Sequence, residues 1–185
     1  TAVVTTGGTW SIPITQANVT AMGEGLETLT ATASDTAGNV SPSTNAIITV
    51  DTAAATTPTI DPVTGDNIVN GAEATAGFNV TGRGTVGDTV TLTNEAGTVI
   101  GTAVVTAGGT WSIPITQANV TAMGQGLETL SARATNPAGN VSVPVDTTIT
   151  VDTIAPNAPT INTPIADDNI VNGTEAAAGF NVTGT

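Results

Sequence analysis

The chain has 185 residues, a formal net charge of -13 and only 2% aromatic side chains, with no His, Cys or Tyr; its two cations are Arg83 and Arg133. These absences remove the usual general bases, a thiol nucleophile and a Schiff-base amine, and the nitrogen and sulfur ligands that zinc and other transition metals prefer. They also remove the cations needed to neutralise nucleic-acid phosphates or to bind an anionic membrane surface.

The chain opens on Thr1-Ala-Val-Val-Thr-Thr-Gly-Gly-Thr-Trp10, which returns as Thr102-Ala-Val-Val-Thr-Ala-Gly-Gly-Thr-Trp111. Residues 1–51 align with 102–152 without gaps, at 38 identical positions of 51. The segment Asp66-Asn-Ile-Val-Asn-Gly71 returns as Asp168-Asn-Ile-Val-Asn-Gly173, and Gly77-Phe-Asn-Val-Thr-Gly82 as Gly179-Phe-Asn-Val-Thr-Gly184. A fixed period of about 101 residues is the mark of a tandem array. Residues 1–51 read as the C-terminal part of one unit, 52–57 as a linker and 58–152 as a complete unit. Residues 153–158 read as a second linker and 159–185 as the N-terminal part of the next unit. Both linkers carry small residues and Pro without periodicity.

Within the complete unit, period-2 alternation and turn residues predict short strands. Thr59–Ile60, Asn67–Val69 and Phe78–Thr81 come first. Thr89–Thr93 alternates strictly, and Glu95-Ala-Gly97 turns the chain into a strand from Val99 to Thr106. Gly108-Gly109 makes the next turn. Trp111, Ile113 and Ile115 then share one strand face. Thr116–Met123 is expected to form one or two helical turns at a sheet end. Strands from Leu127 to Thr135 and from Val141 to Val151 close the unit around Pro137-Ala-Gly-Asn140. Seven or eight short strands in about 100 residues indicate an all-β immunoglobulin-like sandwich. No Cys pair joins the sheets, so Trp10 and Trp111 are expected to fill the space between them.

The segments Val151-Asp-Thr-Ile-Ala-Pro156, Asp167-Asp-Asn-Ile-Val-Asn-Gly-Thr-Glu-Ala176, Gly109-Thr-Trp-Ser112 and Asp35-Thr-Ala-Gly-Asn39 follow one another in phase with the repeat. Together they resemble the bacterial Ig-like tandem repeats of large biofilm-associated and RTX-type surface adhesins. That resemblance implies a bacterial cell-surface or secreted protein whose repeats hold a distal adhesive domain away from the cell. It also implies calcium ions that stiffen the junctions between repeats.

Calcium takes six to eight oxygen ligands, several of them carboxylates. The candidates are Asp35 in the loop before a last strand, Asp51 and Asp152 at corresponding linker positions, and Asp66, Asp167 and Asp168 before the Asn-Ile-Val-Asn segments. The adjacent pair Asp167-Asp168 carries like charges that a cation would relieve. Against this, Asp also starts turns by accepting backbone N–H bonds. Glu73 and Glu175 have a local explanation, because Asn70-Gly-Ala-Glu73 and Asn172-Gly-Thr-Glu175 match a helix capping box. Where the first unit has Asp35 the complete unit has Asn136, which offers one oxygen and no charge.

The expected function is a structural extender, with adjacent repeats of the same chain, and other adhesin copies, as partners. The alternative is a repeat that itself contacts glycan, ice or another adhesin copy, for which the Thr89, Thr91, Thr93 face is the candidate surface. Thr is also a good strand former on an exposed face. No enzyme is expected, since no carboxylate pair is accompanied by pocket-forming aromatics. No segment is apolar enough to insert in a membrane, and the first residues carry no export signal, so one is expected outside these residues.

Overall fold

The structure, a computed structural model, describes residues 1–185. In chain order it contains α1 (Gln16–Met22), β1 (Gly25–Ala31), β2 (Thr44–Val50), β3 (Ile68–Asn70), α2 (Gly71–Ala76), β4 (Phe78–Arg83), β5 (Thr89–Thr93) and β6 (Val99–Val104). These are followed by β7 (Thr110–Ile115), α3 (Gln117–Met123), β8 (Gly126–Thr135), β9 (Val145–Asp152) and α4 (Gly173–Ala178). The chain is all-β apart from four helices of six or seven residues.

One sheet has five strands in the order β3-β9-β8-β5-β6, antiparallel except for the parallel β3–β9 pair. The facing layer is the antiparallel pair β4–β7. It is extended by residues 59–61, whose Thr59 and Asp61 amides donate to the Arg83 and Thr81 carbonyls at 2.9 Å. Alternation decides which side chains enter the space between the layers. On β7 the buried residues are Trp111, Ile113 and Ile115, and on β5 they are Val90 and Leu92. They join Val69, Val80, Leu130, Ala132, Ile149 and Val151 in one apolar core.

Trp111 is the largest core residue, 2% exposed, and its indole Nε1 donates to the Arg83 carbonyl at 3.3 Å. Its ring lies against Gly82 so closely that a Cβ there would come within 2.7 Å of Cζ2 and collide with the Thr59 carbonyl. Gly101 is required in the same way, since a Cβ would meet Ile113 Cγ2 at 2.7 Å. Trp10, in the same local sequence, is 56% exposed. Residues 9–14 have no paired strand here, since the counterpart of β4, which covers Trp111, falls one period earlier, ahead of residue 1.

Repeated sequence gives repeated structure. The β1–β2 hairpin pairs Gly25 with Val50, and β8–β9 pairs Gly126 with Val151, the same register one period later. Helices α1 and α3 both start from a Thr cap, Thr15 and Thr116, whose hydroxyl accepts from the Asn at N3. The last strand begins at Val145 rather than at Val141, because Pro144 has no N–H and Ser142 turns inward. Ser142 Oγ there accepts from the Ala134 amide at 3.0 Å and donates to the Val143 carbonyl at 2.7 Å.

Candidate functional site

The six aspartates singled out as cation ligands lie in turns and linkers, and no three acidic residues lie close enough together to hold a metal ion. Asp35 closes its own turn. Its Oδ1 accepts from the Ala37 and Asn39 amides, both at 2.9 Å, and its Oδ2 from Asn39 Nδ2 at 2.8 Å. The Asn39 side chain, followed by the Asn39 amide, holds this carboxyl below its ordinary value. Asp66 accepts from the Ile68 amide at 3.0 Å and Asp168 from the Ile170 amide at 2.8 Å. Asp152 accepts from the Ile154 amide at 3.3 Å. Asp167 has a φ of 67° at the position where the complete unit has Gly65 with a φ of 97°. Glu73 and Glu175 are capping-box residues, accepting from the Asn70 and Asn172 amides at 3.0 and 2.9 Å.

Asp51 behaves differently, because it is met by the next unit. Asn136 Nδ2 donates to its Oδ2 at 3.1 Å, and Asn140 Nδ2 donates to its Oδ1 at 3.2 Å and its carbonyl at 3.0 Å. Asn136 Nδ2 also lies 3.4 Å from the Ala53 carbonyl. The amide orientations follow from the partners. Asn136 Oδ1 accepts from the Asn140 amide at 2.9 Å, which leaves its nitrogen for the linker. Asn140 Nδ2 faces two acceptors, so only its nitrogen suits that position. Here N–H groups surround the carboxylate where a calcium site would need oxygens. With the amides turned this way, the junction offers Asp51 donors in place of cation ligands.

The linker is also tied to the unit it leaves. Both Glu24 carboxylate oxygens accept from the Thr52 amide, Oε2 at 2.9 Å, and Oε1 also accepts from the Thr52 hydroxyl. These bonds, with the hydroxyl first, hold the Glu24 carboxyl below its ordinary value of 4.5. One period on, Gln125 makes the same contact without charge. Its Oε1 accepts from the Thr153 amide at 3.0 Å and its Nε2 donates to the Thr153 hydroxyl at 2.6 Å. Sequence reasoning missed Glu24, Gln125 and Asn140. The available signal was the Glu24/Gln125 difference, which swaps charge but keeps length and an acceptor oxygen inside a nearly identical stretch.

Linker residue Ala55 and the adjoining Pro58 are buried, whereas Pro156 and Pro159 one period later are exposed. The linker entering the complete unit is thus packed as well as hydrogen-bonded. The threonines of the β5 outer face are half-buried, and Thr91 pairs with Thr102 on one side and Arg133 on the other. No helix is long and apolar enough to cross a membrane.

Residues 62–151 match the family model of the bacterial Ig domain. A search of curated proteins gave no match. Among solved structures, the chain is similar to a Ca2+-stabilized adhesin that helps an Antarctic bacterium reach out and bind ice: identity is 28% over 94% of this chain and 42% of that one, with a TM-score of 0.48. It is similar to a 1.5-MDa bacterial ice-binding adhesin at 29% identity over 98% of this chain and 59% of that one, with a TM-score of 0.47. The chain thus spans less than two thirds of the length of either. It is 30% identical to an immunoglobulin-like domain of the M. primoryensis ice-binding adhesin, covering 54% of this chain and all of that domain, with a TM-score of 0.40. The strands of the sandwich lie within the segment that the family model matches, so residues 62–151 belong to the bacterial Ig domain family.

Proposed function

We propose that this chain is part of the extender of a large bacterial surface adhesin, a run of Ig-like units whose task is to space a distal adhesive domain from the cell. Residues 58–152 are one unit of that run, 1–51 and 159–185 belong to its neighbours, and 52–57 and 153–158 are the linkers. The observation that carries this reading is the linker pinned from both sides. Thr52 is held by Glu24 of the unit behind, and Asp51 by Asn136 and Asn140 of the unit ahead. A spacer needs such fixed joints; a module that binds a ligand on its own surface does not.

Unit length agrees with a spacing role, since the ten residues of β8 span about 34 Å at about 3.4 Å per residue. A net charge of -13 keeps neighbouring rods apart in solution. Surface location follows from this reading, as does the absence of catalytic work. Calcium has a place in it only at junctions where an aspartate occupies the turn position of Asp35 and faces a linker aspartate of the Asp51 or Asp152 type. The direct ligand-binding alternative is weakened by Arg133, a bulky cation interrupting the threonine face. The test is sedimentation of the 185-residue chain together with glycan-array and ice-affinity measurements. A monomer without saturable binding is expected; saturable binding would replace the spacer reading by a recognition one.

A further inference from the structure

We infer that the junction between residues 1–51 and 58–152 is a cation-independent clasp, and that the residue at position 136 is the switch that makes it so. The inference rests on the extender reading for its purpose and on the Asp51 contacts for its chemistry. The chain carries two versions of one turn. In Asp35-Thr-Ala-Gly-Asn39 the carboxylate takes three bonds from its own turn, including Asn39 Nδ2 at 2.8 Å. The turn's last amide is thereby folded back, and an unneutralised charge stands at the turn's edge.

In Asn136-Pro-Ala-Gly-Asn140 the first residue has one acceptor oxygen, used by the Asn140 amide. Its other end is a donor. The Asn140 side chain is released from the turn, and both Nδ2 groups reach the linker carboxylate. Substituting a single oxygen by N–H converts the turn from an edge that repels Asp51 into one that receives it. Hydrogen bonds to an ionised acceptor are stronger than neutral pairs, so two of them can order a short linker. An aspartate at position 136 would return both carboxylates to one place, about 3 Å apart, where only a shared cation makes the contact favourable. An array that mixes the two turns therefore has joints that respond to calcium and joints that do not.

Cysteine is absent, so two labels can be placed uniquely in the full chain. Thr28→Cys on β1 and Thr102→Cys on β6 are both exposed sites, one in each unit. Distances between nitroxides at these positions are measured by pulsed electron resonance in chelator and in about 1 mM calcium, the concentration range of extracellular calcium modules. The parent chain is expected to give one narrow distance distribution, the same in both conditions. Asn136→Asp is expected to lose the narrow distance in chelator and regain it in calcium, while Asn136→Ala loses it in both. A parent distribution that broadens on chelation overturns the inference, and so does an Asn136→Asp chain that stays narrow in chelator. Circular dichroism of each variant verifies folding. These outcomes are separate from the spacer reading, which ligand binding alone would displace.

Discussion

Trp10 and Trp111 offer the same substitution in nearly the same sequence with opposite surroundings. Local propensities cancel between the two, so any difference in cost comes from tertiary packing. Trp111→Ala removes a ring that is 2% exposed, contacts Gly82 and donates to the Arg83 carbonyl. Fully burying a Trp removes about 150–250 Å² from water, worth about 4–6 kcal/mol at about 25 cal/mol per Å² as an upper bound. Large-to-small changes of this kind cost about 3–5 kcal/mol, cavity included. In a unit of about 95 residues that lowers the melting temperature by about 12 °C or more, at about 4 °C or more per kcal/mol. Trp10→Ala removes a ring that is 56% exposed, and should move the main transition by no more than about 0.5 kcal/mol. The assay is calorimetry of the 185-residue chain, with far-ultraviolet circular dichroism in urea as a second probe. Equal shifts for the two variants would refute the packing described for β4 and β7.

Gly82→Ala should cost about 1–3 kcal/mol or more, the usual penalty of overpacking, because the new methyl meets both Trp111 and the Thr59 carbonyl; urea unfolding measures it. Asn70→Ala removes the acceptor of the Ala72 and Glu73 amides and should cost about 1 kcal/mol in the same assay, as helix caps do. Glu24 gives a pH dependence. Its folded-state value lies below 4.5, so its grip on Thr52 is complete above 4.5 and is lost as pH falls through the lowered value. The Thr52 amide resonance should report this loss, Thr153, held by Gln125, should show none, and Glu24→Gln should abolish it at Thr52.

The alternation of the central strands was legible because period-2 burial leaves a direct mark, and Trp111, Ile113 and Ile115 lie where their spacing places them. Both Asn-Gly-x-Glu boxes were equally readable, since a capping box is a contact between neighbours in sequence. Trp10 shows the limit of a local reading: Trp111 is covered by β4, a strand well upstream of it, and residues 1–51 contain no counterpart of that strand. The linker aspartates share a repeat phase, but Asp51 finds its partners 85 and 89 residues away. No local pattern announces that two side-chain amides will turn their nitrogens toward it. The Asp35-to-Asn136 exchange was visible as a loss of charge, and only the geometry shows that it is also a gain of donors.

The central claim is that the linker fixes one unit relative to the next. Nitrogen-15 relaxation of the intact chain tests it most directly, because it compares the tumbling of β1–β2 with that of β8–β9 in one sample. Without calcium, the two hairpins should share one rotational correlation time, and Glu24→Ala combined with Asp51→Ala should shorten that of β1–β2 alone. A parent chain in which β1–β2 already tumbles faster than β8–β9 would contradict the claim.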